Sequence, residues 1–208
     1  LDEDVCLWLD GSQVRFYTVT QNRGIYLYGK LRLTNNALLN MDDATASFRR
    51  GIVTREVSSI IVDNSTLLVP IIRTSSLNAW HRGAFMVSGN STVTLSGNTS
   101  HGYHATLSFG YPDNVISISG GTININNPTS AVTDMSSGSS GTYFSLLFGS
   151  LAKNINITGG TFNINVPAGS NAYINSTVPF YNLNVTSNNS ANDLRVVQYT
   201  NPGTTSAP

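Results

Sequence analysis

The sequence predicts an all-β protein, specifically a right-handed parallel β-helix with about three short strands per coil. Three observations predict it. Apolar and polar residues alternate with a period of two along the chain, helix-period patterns are nearly absent, and one ten-residue phrase is written twice. The phrase is ISISGGTINI (Ile116–Ile125), which returns as INITGGTFNI (Ile155–Ile164).

The elements follow from the chain in order. VRFYTVT (Val14–Thr20) and IYLYGKLRL (Ile25–Leu33) are alternating runs rich in β-branched and aromatic residues, the composition of half-buried strands. IIVDNSTLLV (Ile60–Val69) carries a turn at Asp63-Asn64, and FMVSGNSTVTL (Phe85–Leu95) is a looser copy of the phrase with Gly89 in place of Gly120. Taking Gly120 and Gly159 as equivalent, Leu107, Phe109 and Gly110 fall on Leu146, Phe148 and Gly149. Each unit thus resolves into three strands. The first is VPIIR (Val69–Arg73), then ATLSF (Ala105–Phe109), then YFSLLF (Tyr143–Phe148). The second is AFMVS, VISIS and INIT in turn, and the third is TVTLS, TININ and TFNIN. Period variation collects in loop-like stretches such as Asn127–Gly141, so a fixed strand scaffold carries elastic loops.

In this reading Ile116 and Ile118 point inward before the Gly120-Gly121 corner and Ile123 and Ile125 after it. Asn124 stacks on Asn163 as an amide ladder. The alternative is an antiparallel β-sandwich. Two glycines between alternating runs also suit a tight hairpin, in which Ile118 would face Ile123. The hairpin does not explain why a third strand recurs in step. Residues 1–59 are expected to form N-terminal coils or a cap, 60–199 the β-helix repeats, and 200–208 a linker or tail. The chain starts at Leu1 and closes on NPGTTSAP (Asn201–Pro208), which suggests a piece of something longer.

Composition narrows the function. In 208 residues, 11 Lys and Arg balance 11 Asp and Glu, so no global field favours nucleic acid or an anionic membrane. Charged residues are only 11% of the chain, and Asn, Ser and Thr fill the gap with an uncharged hydrogen-bonding surface. No stretch is apolar for the roughly 18 residues that a spanning helix needs, so no membrane-spanning segment is expected. Cys6 is the only cysteine, which rules out an intrachain disulfide and suggests a small buried apolar residue.

GGTFNI (Gly159–Ile164) and VPFYNLNV (Val178–Val185) resemble the repeats of large secreted surface proteins of bacteria, especially of the Bacteroidota type. The GGT-x-N-I and FYNL-x-V segments of those proteins belong to parallel β-helix regions of the pectin-lyase-like superfamily. The resemblance covers Ile60 to about Thr186 well and the first fifty-nine residues loosely. It implies export and display at the cell surface, and it supplies no catalytic residues.

Chemistry is sparse. Glycoside hydrolysis generally needs two facing carboxyl groups. Asp42-Asp43 are neighbours that would point to opposite faces of a strand, and Asp63, Asp113 and Asp134 are scattered. His81, His101 and His104 are the only histidines and have no metal-site spacing, so no metal, cofactor or catalytic group is expected. Seven Asn-x-Ser/Thr sequons occur, at Asn64, Asn90, Asn98, Asn156, Asn175, Asn184 and Asn188, in a chain already rich in those residues. An ice-binding face would need ranks of Thr-x-Thr, and TVT occurs in one coil without partners above or below. NAWHRG (Asn78–Gly83) and HGYH (His101–His104) precede strands of neighbouring coils. Trp80, His81, Arg82, Tyr103 and His104 are therefore the candidate ligand-binding residues, an aromatic flank with hydrogen-bonding groups suited to a glycan.

The sequence thus predicts a non-catalytic structural or adhesive segment of an exported, extracellular or cell-surface protein. The alternatives are a carbohydrate-binding module, or a non-catalytic fragment of a polysaccharide-degrading enzyme. A short rod has open ends, so it needs caps or assembles end to end or side by side with other chains.

Overall fold

The computed structural model describes residues 4–16, 24–41, 51–55, 57–74, 83–96, 107–109, 114–126, 132–133, 141–142, 146–148, 154–166, 173–176, 181–187 and 195–196. Their regular structure is β-strand, with no helix. No helix among these residues is long and apolar enough to cross a membrane.

Strands are numbered in chain order and fall into three main sheets. Sheet A runs β1 (Cys6–Asp10), β4 (Lys30–Thr34), β7 (Ser59–Asp63), β10 (Ala84–Ser88), β13 (Val115–Ile118) and β18 (Asn154–Ile157). Sheet B runs β2 (Gln13–Arg15), β5 (Leu38–Asn40), β8 (Thr66–Val69), β11 (Thr92–Leu95), β14 (Thr122–Asn126), β19 (Thr161–Val166) and β21 (Leu183–Ser187). Sheet C runs β3 (Ile25–Leu27), β6 (Ile52–Thr54), β9 (Ile72–Thr74), β12 (Leu107–Phe109), β17 (Leu146–Phe148), β20 (Tyr173–Ser176) and β22 (Arg195–Val196).

All pairings inside these sheets are parallel. Through six circuits the chain visits A, B and C in turn, and each return adds a strand beside the previous one. An antiparallel pair, β15 (Val132–Thr133) with β16 (Gly141–Thr142), sits in the loop-like insertion before β17.

The register puts like on like. Along sheet A, Leu31, Ile60, Phe85, Ile116 and Ile155 form one inward rank, and Leu33, Val62, Val87, Ile118 and Ile157 the next. Sheet B supplies Leu39, Leu67, Val93, Ile123, Phe162 and Leu183. Sheet C supplies Ile25, Ile52, Ile72 and Leu107. These ranks meet in one apolar cluster in which Phe85 stacks on Phe109, ring centroids 5.4 Å apart. Period-two alternation is the cause, because every second side chain of a strand faces the same side and so enters the cluster.

The hairpin alternative is excluded at the repeated phrase. Ile118 pairs in parallel with Val87 on one side and Ile157 on the other, and Ile123 belongs to a different sheet. An antiparallel sandwich is therefore not the architecture. Two of the expected strands also divide. Tyr28 and Gly29 separate β3 from β4 inside IYLYGKLRL, and Pro70 and Ile71 separate β8 from β9 inside VPIIR. Proline has no N–H to give to a ladder, so the chain turns there.

The corners between sheets A and B explain the repeated glycines. Gly121 and Gly160 adopt φ of 81° and 86°, a region costly for residues with a Cβ. A Cβ on Gly160 would also stand 2.9 Å from the Gly120 carbonyl oxygen of the circuit before it. At the earlier corners Asn64 and Gly89 hold φ of 47° and 61°. Serines stand at these earlier corners where the later ones have Gly121 and Gly160, and their hydroxyls bond the turn. Ser65 Oγ accepts from the Ala37 N–H (3.2 Å) and donates to the Asp63 carbonyl (2.9 Å), while Ser91 Oγ donates to the Ser88 carbonyl (2.6 Å).

Candidate binding surface

The five expected ligand residues, Trp80, His81, Arg82, Tyr103 and His104, lie outside the described residues, as do Asp42, Asp43, Asp113 and Asp134. Asp63 is described. Its Oδ1 accepts from Ser88 Oγ (2.7 Å) and Asn64 Nδ2 (3.2 Å), so it fastens a corner between two circuits. Among the described residues no three His, Cys, Asp or Glu side chains gather as a metal site. Cys6 is exposed, not buried as its residue type suggested. It shares an edge strand with Leu7 and Leu9, which take the inward positions, so alternation turns its thiol outward.

From β11 onward the outer face of sheet B is a lattice of uncharged hydrogen-bonding groups. Thr66, Thr92, Thr122 and Thr161 are in register on four successive strands. One step along the face, Thr94, Asn124, Asn163 and Asn184 form a second rank. Its amides are linked head to tail. Asn163 Nδ2 donates to Asn124 Oδ1 (2.9 Å), Asn184 Nδ2 to Asn163 Oδ1 (3.0 Å), and Asn124 Nδ2 to Thr94 Oγ1 (3.4 Å). A third rank repeats the bond from Asn165 Nδ2 to Asn126 Oδ1 (2.6 Å). The expectation that the TVT of β11 stands alone is therefore corrected for Thr92, which has threonine on both sides. It holds for Thr94, whose neighbours are Leu68 and Asn124. Each of these ladder amides keeps an N–H that the head-to-tail bond does not use, so the face stays wettable while its side chains are fixed in orientation.

The outer face of sheet A is different. Trp8, Arg32, Ile61 and Met86 occupy one outward rank across β1, β4, β7 and β10. Trp8 is 55% exposed, yet it is held in place. Its indole N–H donates to Thr34 Oγ1 (2.8 Å), and the Arg32 guanidinium carbon lies 5.0 Å from the ring centroid. Thr34 Oγ1 in turn donates to Asp10 Oδ1 (2.8 Å), which also accepts from Asn35 Nδ2 (2.6 Å). Asn35 can offer its amide there because it sits at the corner with φ of 56°, which asparagine tolerates better than most residues.

At the entry to sheet A, Arg55 lies over Tyr26 and Tyr28, at 4.9 and 6.0 Å from their ring centroids. All three are partly buried, so this cluster packs a corner and offers less free surface than Trp8.

Trp8 is the functional candidate that motif reading passed over. Its signal was present in CLWLD. Leu7 and Leu9 inward require Cys6, Trp8 and Asp10 outward, and KLRLT (Lys30–Thr34) lays Lys30, Arg32 and Thr34 beside them. Comparison with protein-family models, curated proteins and solved structures finds no match to this chain.

Proposed function

We propose that this chain is a right-handed parallel β-helix of about three strands per coil. In this reading it acts as a non-catalytic structural and adhesive segment of an exported cell-surface protein. The observation that carries the reading is the in-register repetition of like residues along three parallel sheets around one apolar column. Right-handedness follows from the strong preference of parallel crossovers for that hand.

Its mechanism is geometric. Each coil offers the next the same backbone edge and the same apolar ranks, and from β14 through β19 to β21 sheet B adds an amide row. One local solution is thereby extended into a rod whose contacts are all between neighbours. The low charge and the Asn, Thr and Ser exterior support an extracellular setting, and the resemblance of GGTFNI and VPFYNLNV to repeats of secreted bacterial surface proteins points the same way.

The test is made in the source cells. An antibody raised against the chain labels intact cells, and protease added outside removes the signal. Soluble polysaccharides incubated with the pure chain gain no new reducing ends. Labelling that requires lysis would overturn the surface assignment, and released reducing ends would overturn the non-catalytic one.

A further inference from the structure

We infer that Trp8, Arg32, Asp10 and Asn35 form a binding platform for a neutral saccharide, with the indole as the stacking surface. The inference does not depend on the rod's being exported or mechanical. It rests on the chemistry gathered on the outer face of β1 and β4.

An exposed tryptophan is expensive to leave in water, and a freely rotating one is a poor receptor because binding must first fix it. Trp8 is more than half exposed and already fixed, by its N–H on Thr34 and by Arg32 over its ring. The plane is therefore preorganised. Around it stand an acceptor and two kinds of donor. Asp10 has one carboxylate oxygen engaged by Thr34 and Asn35, and its second oxygen has no partner among the described residues. Arg32 offers guanidinium N–H groups, and Asn35 an amide oxygen. An apolar plane ringed by mixed donors and acceptors is what a pyranose asks for, since its C–H face is apolar and its rim is hydroxyl.

The charges decide against other ligands. The Arg32 guanidinium covers one face of the indole and repels a second cation, while a pyranose stacks on the face that Arg32 leaves open. A phosphate or carboxylate ligand would meet Asp10 beside the ring. A nucleic acid base could stack, but its phosphates would face the same carboxylate on a chain with no net charge.

The experiment is calorimetric titration of the whole chain with cellohexaose, xylohexaose, mannohexaose and chitohexaose, alongside a glycan array. At least one saccharide is expected to bind, with affinity falling tenfold or more in Trp8→Ala and several-fold in Asp10→Ala. Tyr181→Ala, which removes the most exposed large apolar side chain among the described residues (71%), leaves binding unchanged. Trp8→Tyr, which keeps an aromatic plane, retains most of it and separates loss of stacking from loss of fold. The inference is overturned if no saccharide binds, if binding survives Trp8→Ala, or if it is lost in Trp80→Ala alone. It is equally overturned if Trp8→Ala converts an oligomer to a monomer on a sizing column, since the indole would then cover a second copy.

Discussion

Replacing Phe85 by Ala, next to the control Met86→Ala, tests the inside–outside assignment one residue at a time. Phe85 is fully buried in the inward rank of sheet A between Ile60 and Ile116, and stacks on Phe109 of sheet C with the rings 20° from parallel. Met86 is its neighbour on β10 and faces outward between Ile61 and Ser117. Truncating a buried phenylalanine costs about 3–5 kcal/mol. The figure includes the aromatic contact, worth about 0.5–1.5 kcal/mol. The column around Phe85 is closed by ranks on both sides, which limits collapse into the void and favours the upper half of that range. The outward, half-buried Met86 costs less than about 1 kcal/mol.

Urea unfolding followed by far-ultraviolet circular dichroism reads the difference. With a slope of about 2 kcal/mol per molar, Phe85→Ala lowers the midpoint by roughly 2 M and Met86→Ala by less than about 0.5 M. A cycle with Phe109→Leu isolates the stacking energy. Equal midpoints for the two single variants, or a larger loss at Met86, would refute the assigned faces of sheet A and with them the register.

Three further outcomes are expected. Gly160→Ala places a Cβ at φ of 86° and 2.9 Å from the Gly120 carbonyl, and lowers stability by about 2 kcal/mol or more in the same assay. Asn163→Ala removes one amide that donates to Asn124 and accepts from Asn184, and costs about 1–2 kcal/mol. Thermal melts read it, and an unchanged melting temperature would mean that the ladder bonds carry no net stability. Cys6 is exposed on β1, so in the native chain its thiol is titrated by Ellman's reagent as fast as in urea. Protection in the native state would contradict its placement.

The sequence carried the sheets better than the surface. Parity around Gly120-Gly121 was enough to send Ile116, Ile118, Ile123 and Ile125 inward, and the Asn124–Asn163 ladder was legible from spacing alone. Strand ends were less legible, because alternation continues through short corners. Tyr28-Gly29 and Pro70-Ile71 interrupt the ladder without interrupting the pattern.

Cys6 departs from the expectation of its residue type for a related reason. Residue type favours burial, but its place on β1 follows the parity of Leu7 and Leu9 and overrides type. The alignment of TVTLS, TININ and TFNIN already superposes Thr92, Thr122 and Thr161, and strand pairing adds Thr66, so most of the threonine rank is legible in the sequence. Motif reading went to NAWHRG, where an aromatic and two donors are adjacent in sequence. It overlooked Trp8, whose partners Arg32 and Thr34 come from the next strand of the sheet.

The most direct test of the stacked-coil account is a set of distances between spin labels along sheet B, in a Cys6→Ser background. Gln13 leads through Leu38, Thr66 and Thr92 to Thr122, four strand spacings away, and through one more to Thr161. With labels at Gln13 and Thr122, and then at Gln13 and Thr161, backbone separations of about 19 Å and 24 Å are expected. The increment of one strand spacing per coil is the signature of stacking. Distances that fail to grow in step from Thr122 to Thr161 would contradict the account, because the repeated phrases would then lie beside one another in some other way.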